Sequence, residues 1–301
     1  MFGRLFALVM EGLPQHMLSR CVHALARWRW RPWKNALIRG FRRLYQVDTG
    51  EAMSSDPAAY EHFNAFFTRA LRPDARPSDD TANALLSPVD GAVSQIGAIS
   101  DGRLIQAKRR DFSLQTLLAD DPTLAGLFAN GSFATLYLSP RDYHRIHMPC
   151  AGELERMLHV PGRLFGVSAP LVRHVPDLFA RNERVICHFR TPHGPMAMVL
   201  VGAIGVGSIE TVWAGEITPP RGARIRNWDY RERPVTLARG AEMGRFNLGS
   251  TVILLLPPDA GLVWREDLGP EMPVRLGQQL GLYGAARQLG ALPGEGDDRL
   301  E

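Results

Sequence analysis

The alternation of apolar and polar residues predicts a body built mainly of strands between residue 76 and about residue 290. Residues 252–256 (VILLL) are apolar at every position, which predicts a central strand that is buried on both faces. The other predicted strands are residues 92–99, 133–138, 184–189, 197–204 and 208–213. Because no regular alternation of strand and helix runs through this region, we predict an α+β fold with a mostly antiparallel sheet or sandwich.

Amphipathic helices are predicted at the N-terminal end. Residues 1–47 alternate clusters of Leu, Phe and Trp with arginines, and Pro14 and Pro32 should interrupt the resulting short helices. Asp56 and Pro57 then form an N-cap and first-turn pair. Four apolar side chains follow at helical spacing and should pack in a core: Tyr60, Phe63, Phe67 and Leu71.

The helical signal is weaker beyond this point, with patches at residues 114–118 and 172–180. Pro73, Pro77 and the polar residues around them indicate a linker. We therefore place a domain boundary near residue 76, with an N-terminal helical region at residues 1–75 and a larger domain at residues 76–301.

Charge is unevenly distributed along the chain. Residues 1–47 hold nine Arg or Lys and one acid, Glu11, a net charge of +8; because the 301-residue chain totals +4, residues 48–301 carry −4. A basic segment this rich in Leu, Phe and Trp favours an anionic membrane surface over nucleic acid, and a core-packing helix is an alternative for part of it. No apolar run reaches the roughly 20 residues that span a bilayer, and no secretory signal is evident. We therefore expect that the chain is not exported and does not cross a membrane.

The positions of the cysteines and lysines limit the classes of metal site and catalytic mechanism that the sequence supports. Cys21, Cys150 and Cys187 have no metal-ligand spacing, so neither a disulfide framework nor a zinc site is predicted. Of 35 basic residues only Lys34 and Lys108 are lysines. Lys34 lies in the basic N-terminal segment, and Lys108, beside two arginines, is more typical of a solvated turn. A mechanism that needs a lysine Schiff base therefore has little support.

Three short stretches contain residues whose side chains could take part in catalysis. SPVDG contains Asp90, YLSPRDYHRIHMPC contains His144 and His147, and NLGST contains Gly249 and Ser250 directly before the apolar strand. Turn formation explains the first and third, and a polar strand end or a weak metal site explains the histidines. Together, however, they supply an Asp, a His and a Ser, and a triad is defined by geometry rather than by chain order. Ser250 lacks a G-x-S-x-G elbow, which argues against an ordinary serine hydrolase; its hydroxyl can instead attack the carbonyl of Gly249.

These stretches, with VPDLFARNERVIC and GSIETVWAGEITPP, resemble the proteobacterial, pyruvoyl-dependent phosphatidylserine decarboxylase family. The resemblance runs from the N-terminal helices to about residue 256, and LGST in this context is a highly specific marker. It implies a proenzyme that cleaves itself between Gly249 and Ser250. The products would be a β chain of residues 1–249 and an α chain of residues 250–301.

The resemblance also implies roles for individual residues. His147 takes the proton of the Ser250 hydroxyl, and Asp90 orients His147. Ser250 becomes a covalent pyruvoyl cofactor, whose ketone forms a Schiff base with the substrate amine, so that neither pyridoxal phosphate nor a metal is needed. His144 is the candidate for protonating the α-carbon or contacting the substrate carboxylate, and Phe165 in PGRLFGVSAP for lining the headgroup site. Because residues three apart on a strand face opposite ways, we predict a turn between the two histidines.

The implied substrate is phosphatidylserine in an anionic membrane surface, and the product is phosphatidylethanolamine. We expect a peripheral protein on the cytoplasmic side of the cell's inner membrane, a homo-oligomer (a dimer), and no nucleic-acid partner. One alternative is a soluble pyruvoyl-dependent amino-acid decarboxylase, which would keep Ser250 but has no use for the basic, apolar residues 1–47. A membrane-bound scaffold without chemistry and a serine hydrolase are further alternatives.

Overall fold

The computed structural model describes residues 10–107, 110–205, 208–219, 222–248 and 250–284. The helices are α1 Gln15–Ala26, α2 Arg31–Tyr45, α3 Phe63–Phe67, α4 Leu114–Leu117, α5 Pro122–Phe128, α6 Ala169–His174 and α7 Leu178–Arg181, with 3-10 turns at Pro57–Ala59 and Pro258–Ala260. The first strands are β1 Ala84–Leu86, β2 Gly91–Ala98, β3 Arg103–Ala107, β4 Arg110–Ser113, β5 Ser132–Leu138, β6 Arg145–His147, β7 Gly152–Val160, β8 Arg184–Thr191 and β9 Gly194–Val201. The remaining strands are β10 Ile209–Thr211, β11 Gly215–Thr218, β12 Arg226–Asp229, β13 Val235–Leu237, β14 Glu242–Phe246, β15 Ser250–Leu256, β16 Leu262–Trp264, β17 Pro273–Val274 and β18 Gln279–Tyr283.

The strands form one large sheet and three small ones within these residues. The large sheet has the order β12-β7-β8-β9-β15-β5-β2-β17, with β13 also paired to β7; the small sheets are β11-β10-β14-β6, β1-β18-β16 and β3-β4. Pairing between these strands is antiparallel. The predicted α+β class with a mostly antiparallel sheet is therefore confirmed.

The central strand β15 is buried along its whole length, as its apolar run predicts. It lies between β5 and β9. Ile253 and Leu255 join an apolar cluster that includes residues of α4 to α7, while Val252, Leu254 and Leu256 join a second cluster with the small sheets. The large sheet is thus covered by helices on one face and by β-structure on the other.

The N-terminal helices begin and end near the predicted prolines. Pro14 is the N-cap of α1, and Pro32 lies in the first turn of α2, where its missing N–H is not needed. Lys34, on α2, is buried rather than facing a surface: its Nζ donates to the carbonyl oxygens of Pro57 (2.8 Å) and Tyr60 (2.5 Å). This lysine therefore fixes the chain that follows the helix.

Helix α1 packs on the body through polar side chains and exposes an apolar face. The buried Gln15 and Ser19 accept hydrogen bonds from the backbone N–H groups of Leu164 (2.8 Å) and Gly205 (3.2 Å). Its exposed side chains include Met17, Leu18, Val22 and Leu25. No helix of the described ranges is long and apolar enough to span a membrane.

Two helix predictions differ from the structure. Residues 56–71 form a 3-10 turn, which Asp56 caps through the Ala58 N–H (2.8 Å), and then the short α3. Between them Tyr60 is extended, because its hydroxyl bonds the Ser54 carbonyl oxygen (2.5 Å), although Phe63 and Phe67 are buried as predicted. Residues 172–180 are also not one helix: α6 ends before Pro176, which cannot continue a helical hydrogen-bond ladder.

Candidate active site

Ser250 is the first residue of β15 and is fully buried. It pairs with Leu138 of β5, and its Oγ has no hydrogen-bond partner among the described residues. Strand alternation directs the Ser250 side chain to the same face as Val252, toward the sheet that contains β6. Leu248, just upstream, has φ = 105°, a strained value for a residue with a Cβ. Gly249 lies outside the described residues.

His144 lies in the loop that enters β6 and is completely buried. Its ring packs 4.1 Å from that of Phe67, and its Nδ1 lies 2.8 Å from the carbonyl oxygen of Asp142. Burial lowers the pKa of His144 to about 3, so the ring is neutral at pH 7. Since a carbonyl oxygen only accepts, Nδ1 carries the proton and Nε2 is left as an acceptor. That Nε2 is buried and has no hydrogen-bond partner among the described residues.

His147, at the end of β6, has both ring nitrogens occupied. Nδ1 lies 2.8 Å from the carbonyl oxygen of Gly240, and Nε2 lies 3.1 Å from the hydroxyl of Tyr143. Burial lowers the pKa of His147, while the charge of Asp90 acts in the opposite direction. His147 is therefore within the electrostatic reach of Asp90 without contacting it.

Asp90, in the turn before β2, is held by an arginine instead of a histidine. The Arg76 Nε lies 2.9 and 3.1 Å from the two Asp90 carboxylate oxygens, and the Leu276 N–H donates to the first of them (2.8 Å). The His147 backbone N–H donates to the Pro88 carbonyl oxygen (2.9 Å), which keeps β6 beside this turn. The structure thus brings Asp90 and His147 into one region, but no hydrogen bond links Asp90, His147 and Ser250 within the described ranges.

Two neighbouring cavities meet at Tyr137. The smaller, of about 610 Å³, has a polar lining that includes Arg69, Arg76, Asp90, Asp142 and Tyr143. The larger, of about 1080 Å³, has a mainly apolar lining that includes Val93, Ile105, Val167 and Val172. Tyr137 lines both cavities and pairs across the sheet with Thr251, the residue after Ser250. The junction of the polar and the apolar cavity therefore lies on β5, the strand next to β15, and Ser250 lines neither cavity.

Several residues of the polar cavity were not found by sequence reasoning. Arg69 and Arg76 stand in FFTRALRPDARP, which reads as a helix end and a linker, and neither arginine has a local partner that signals burial. Burial raises the pKa of Asp142, and of the neighbouring Tyr143 to about 12. The YLSPRDYHRIHMPC stretch contains both groups, so its density of polar residues after a strand was the available signal.

Phe165 is fully buried and does not line either cavity. Its ring lies beneath the guanidinium groups of Arg181 (4.8 Å from the ring centroid) and Arg163 (5.5 Å). Its backbone N–H donates to the Asn182 side chain (3.0 Å). Val167 of the same loop does line the larger cavity. A substrate contact by Phe165 stays a prediction.

Comparison with known proteins gives the family. The family model described as Phosphatidylserine decarboxylase matches residues 63–282, and a second, described as PSD, matches residues 5–46. A protein of Azotobacter vinelandii named phosphatidylserine decarboxylase proenzyme is 56% identical over 285 residues, covering 93% of this chain and 99% of that protein. A protein of the same name from Methylococcus capsulatus is 55% identical over 279 residues, covering 92% and 96%. The chain therefore belongs to the phosphatidylserine decarboxylase family.

Proposed function

We propose that this chain is a proenzyme that cleaves itself before Ser250 and then decarboxylates phosphatidylserine to phosphatidylethanolamine. The observation that carries the proposal is the Ser250 hydroxyl. It is buried at the start of a central strand, has no hydrogen-bond partner in the described part of the chain, and lies two residues after the strained Leu248. Family membership supports the same reaction.

In the first proposed step, the Ser250 oxygen attacks the Gly249 carbonyl carbon and the peptide C–N bond breaks, leaving an ester and a free amine. His147 takes the hydroxyl proton and returns it to that amine. This requires Nε2 of His147 to exchange the Tyr143 hydroxyl for that of Ser250, because its single lone pair accepts one strong hydrogen bond. The negative charge of Asp90 favours the protonated state of His147 during the transfer.

In the second step, loss of the Ser250 α-proton breaks the Cβ–O bond and expels the Gly249 carboxylate. The dehydroalanine left at position 250 hydrolyses to a pyruvoyl group and ammonia. The position suits such a group, because the fully buried Ser250 side chain is shielded from solvent and β5 and β9 hold its strand from both sides. When present, the pyruvoyl ketone takes the substrate amine and accepts the electrons that carbon dioxide leaves behind.

The two lysines give little support to a pyridoxal phosphate mechanism. Lys34 is buried, and its ammonium group is engaged by backbone carbonyl oxygens. Lys108 lies outside the described residues.

His144 is assigned the proton transfer of the decarboxylation step. Its ring is neutral and its Nε2 is an acceptor, so it has no charge with which to attract the substrate carboxylate. A neutral imidazole with a free Nε2 can relay a proton to the α-carbon after carbon dioxide leaves, once the anionic substrate raises its depressed pKa. These features favour the proton-transfer role over the carboxylate contact.

The paired cavities fit an amphipathic substrate. A phosphoserine headgroup carries ammonium, carboxylate and phosphodiester groups, which match the ionic lining of the smaller cavity. The apolar lining of the larger cavity suits the glycerol and the first carbons of an acyl chain. Tyr137 joins the cavities on the strand next to β15, but strand alternation places its side chain and that of Ser250 on opposite faces of the sheet. A lipid bound across both cavities would therefore bring its amine to position 250 around the end of β5.

Helix α1 is the proposed membrane contact. Its apolar face is exposed, and Trp28 and Trp30 after it have exposed rings whose centroids are 5.5 Å apart. On the other side, Arg27 donates to Glu216 at 2.7 and 3.1 Å, which keeps the polar face of α1 against the body. Such a surface suits the headgroup layer of an anionic bilayer. We place the protein on the cytoplasmic side of the inner membrane. We also propose that it is a dimer, and light scattering in detergent would measure its size.

Intact-mass analysis of the purified protein tests the proposal. Wild type is expected as two chains of 249 and 52 residues, the smaller one blocked by a pyruvoyl group, and Ser250→Ala as one chain of 33.4 kDa. His147→Ala and Asp90→Asn are expected to slow cleavage, whereas His144→Ala should cleave and fail in decarboxylation. A decarboxylase that is active as one unbroken chain would overturn the proposal. Release of carbon dioxide from free serine without vesicle binding would instead favour the soluble amino-acid decarboxylase.

A further inference from the structure

Arg69 is a buried arginine that has no carboxylate partner among the described residues. It follows α3 and is 4% exposed, yet its Nε and Nη1 have no hydrogen-bond partner among the described residues. Its Nη2 makes one long hydrogen bond, 3.2 Å, to the carbonyl oxygen of Arg141. A buried guanidinium is costly unless a counter-ion compensates for the lost hydration. The free chain therefore holds a cation ready for an anion.

The other arginines of the polar cavity are already paired. Arg76 contacts Asp90 and also Glu51 (2.8 Å), and Arg275 contacts Glu51 as well (3.2 Å). Arg141 is mostly exposed and lies 4.0 Å from Asp142. Within the described ranges Arg69 is thus the cavity-lining arginine that lacks an ion pair, although Asp90 and Asp142 lie near enough to act on it electrostatically.

The position of Arg69 relates it to the reacting centre. It lines the same cavity as Tyr137, whose cross-strand partner is Thr251, and its charge contributes to the low pKa of His144. In phosphatidylserine three bonds separate the phosphorus atom from the α-carbon. Because Arg69 acts electrostatically on His144, the group assigned the proton transfer, an anion three bonds from the reacting carbon would lie on the side of the site that Arg69 charges.

Of the two substrate anions, the phosphodiester is the better partner for Arg69. Decarboxylation turns the carboxylate into neutral carbon dioxide, so a cation bound to the carboxylate would stabilise the ground state more than the transition state. The phosphodiester keeps its charge throughout. The planar guanidinium fork also matches two phosphate oxygens.

We propose that Arg69 forms the subsite for the phosphodiester of the lipid headgroup, a proposal that rests on the proposed decarboxylase activity. The contact is present in both the bound substrate and the transition state, so Arg69 sets substrate affinity rather than the rate of the chemical step. It also selects lipids whose phosphate is a singly charged diester.

The test compares Arg69→Met with wild type in detergent micelles. The variant is expected to cleave itself fully and to raise KM roughly 10- to 100-fold at nearly unchanged kcat. Arg69→Lys, which keeps the charge but loses the fork, should fall between the two. Arg72→Met removes an exposed arginine three residues away and should leave both constants unchanged. A fall in kcat at constant KM, or no change in either constant, would overturn the assignment.

A neutral substrate analogue gives a second measurement that does not depend on the stability of the variant. Wild type should prefer phosphatidylserine over its phosphate methyl ester by the same 10- to 100-fold in kcat/KM, and Arg69→Met should show almost no preference. A variant that still discriminates fully would refute the subsite. Wild type that fails to decarboxylate either lipid would instead refute the proposed function.

Competition distinguishes a headgroup site from a general phosphate site. Glycerophosphoserine is expected to inhibit wild type competitively and Arg69→Met much more weakly, with inorganic phosphate a poor inhibitor of both. Inorganic phosphate acting as strongly as glycerophosphoserine on wild type would overturn the assignment to a lipid diester.

Discussion

Arg76 and Asp90 form a nearly buried ion pair in which the arginine Nε lies 2.9 and 3.1 Å from the two carboxylate oxygens. The pair joins the end of the N-terminal region to the turn before β2. It also fixes the carboxylate that the proposed self-cleavage needs near His147. The linker around residue 76 therefore contributes to the candidate site, and the domain boundary there stays a prediction.

We expect Arg76→Met to lower the free energy of unfolding by about 3 kcal/mol, because it leaves a buried carboxylate without its partner. Asp90→Asn should lower the free energy of unfolding less in the Arg76→Met background than in wild type. A double-mutant cycle measured by urea unfolding should therefore give a coupling energy of about 2 kcal/mol. The exposed pair Arg265 and Asp267 is the matched control, with an expected coupling below about 1 kcal/mol. Equal coupling energies in the two cycles would contradict the role of burial.

His144 should make stability depend on pH. Its folded-state pKa of about 3 is depressed below the value near 6.5 of the unfolded chain, so between these values the unfolded state binds a proton that the folded state excludes. The free energy of unfolding should therefore fall as the pH falls through this window, by up to about 1.4 kcal/mol per pH unit from this group.

Urea titrations of the uncleaved Ser250→Ala protein between pH 4.5 and 6.5 measure the slope. In the Ser250→Ala background, His144→Gln should reduce the slope of unfolding free energy against pH by an amount equal to nearly one bound proton. Phe67→Leu disturbs the same ring contact without removing a titrating group and should lower stability while keeping the slope. An unchanged slope in His144→Gln would show that another group, and not His144, causes the difference in proton binding between the folded and unfolded states.

Asn247 ties the segment before the proposed cleavage point to its surroundings. Its side chain accepts from Asn64 Nδ2 (2.8 Å) and donates to Ser208 Oγ (2.7 Å), and all three residues are buried. Asn247→Ala should cost about 1–3 kcal/mol and slow self-cleavage about tenfold or more, because the loop loses its fixed geometry. Time courses on denaturing gels measure the rate.

Asn182 provides the matched control for this prediction. Its equally buried side chain bonds the backbone of Phe165 and Gly202, in another part of the fold. Asn182→Ala should lose similar stability and still cleave at the wild-type rate. Similar slowing in both variants would mean that cleavage follows general stability rather than the Asn247 contacts.

Trp28 and Trp30 should carry much of the membrane affinity. Replacing both by Ala removes two exposed rings, and flotation with anionic vesicles should weaken at least tenfold, since each ring contributes about 1.5–3 kcal/mol when buried. Val263→Ser, on strand β16, changes another exposed apolar residue and should float like wild type. Undiminished flotation of the tryptophan variant would place the membrane contact elsewhere.

The strands were the most predictable part of the fold. A strand buried on both faces has an unbroken apolar run, so residues 252–256 identify β15 without tertiary information. Strand ends are less predictable: the pattern predicts a strand at residues 197–204, whereas β9 spans Gly194–Val201 and begins at a glycine with φ = 96°. Aromatic residues at helical spacing wrongly predict a helix around Tyr60, where a local hydrogen bond to the Ser54 carbonyl oxygen accompanies an extended backbone.

The site divides along the same line. The residues of LGST and SPVDG stand in distinctive local sequence, so the sequence alone predicts roles for Ser250 and Asp90, and these roles stay predictions. The pairing of Asp90 with Arg76 and the unpaired burial of Arg69 arise from packing between distant segments. The local sequence does not indicate which arginine forms an ion pair in the folded chain.

Strand β15 has one further consequence. It is held by β5 along Ser250–Leu256 and by β9 over most of that length, so a cut just ahead of it would remove no interstrand hydrogen bond of the sheet. The two fragments would share the apolar clusters on both faces of the sheet and melt in one transition. Differently labelled molecules, once mixed, would exchange their shorter fragments only on complete denaturation.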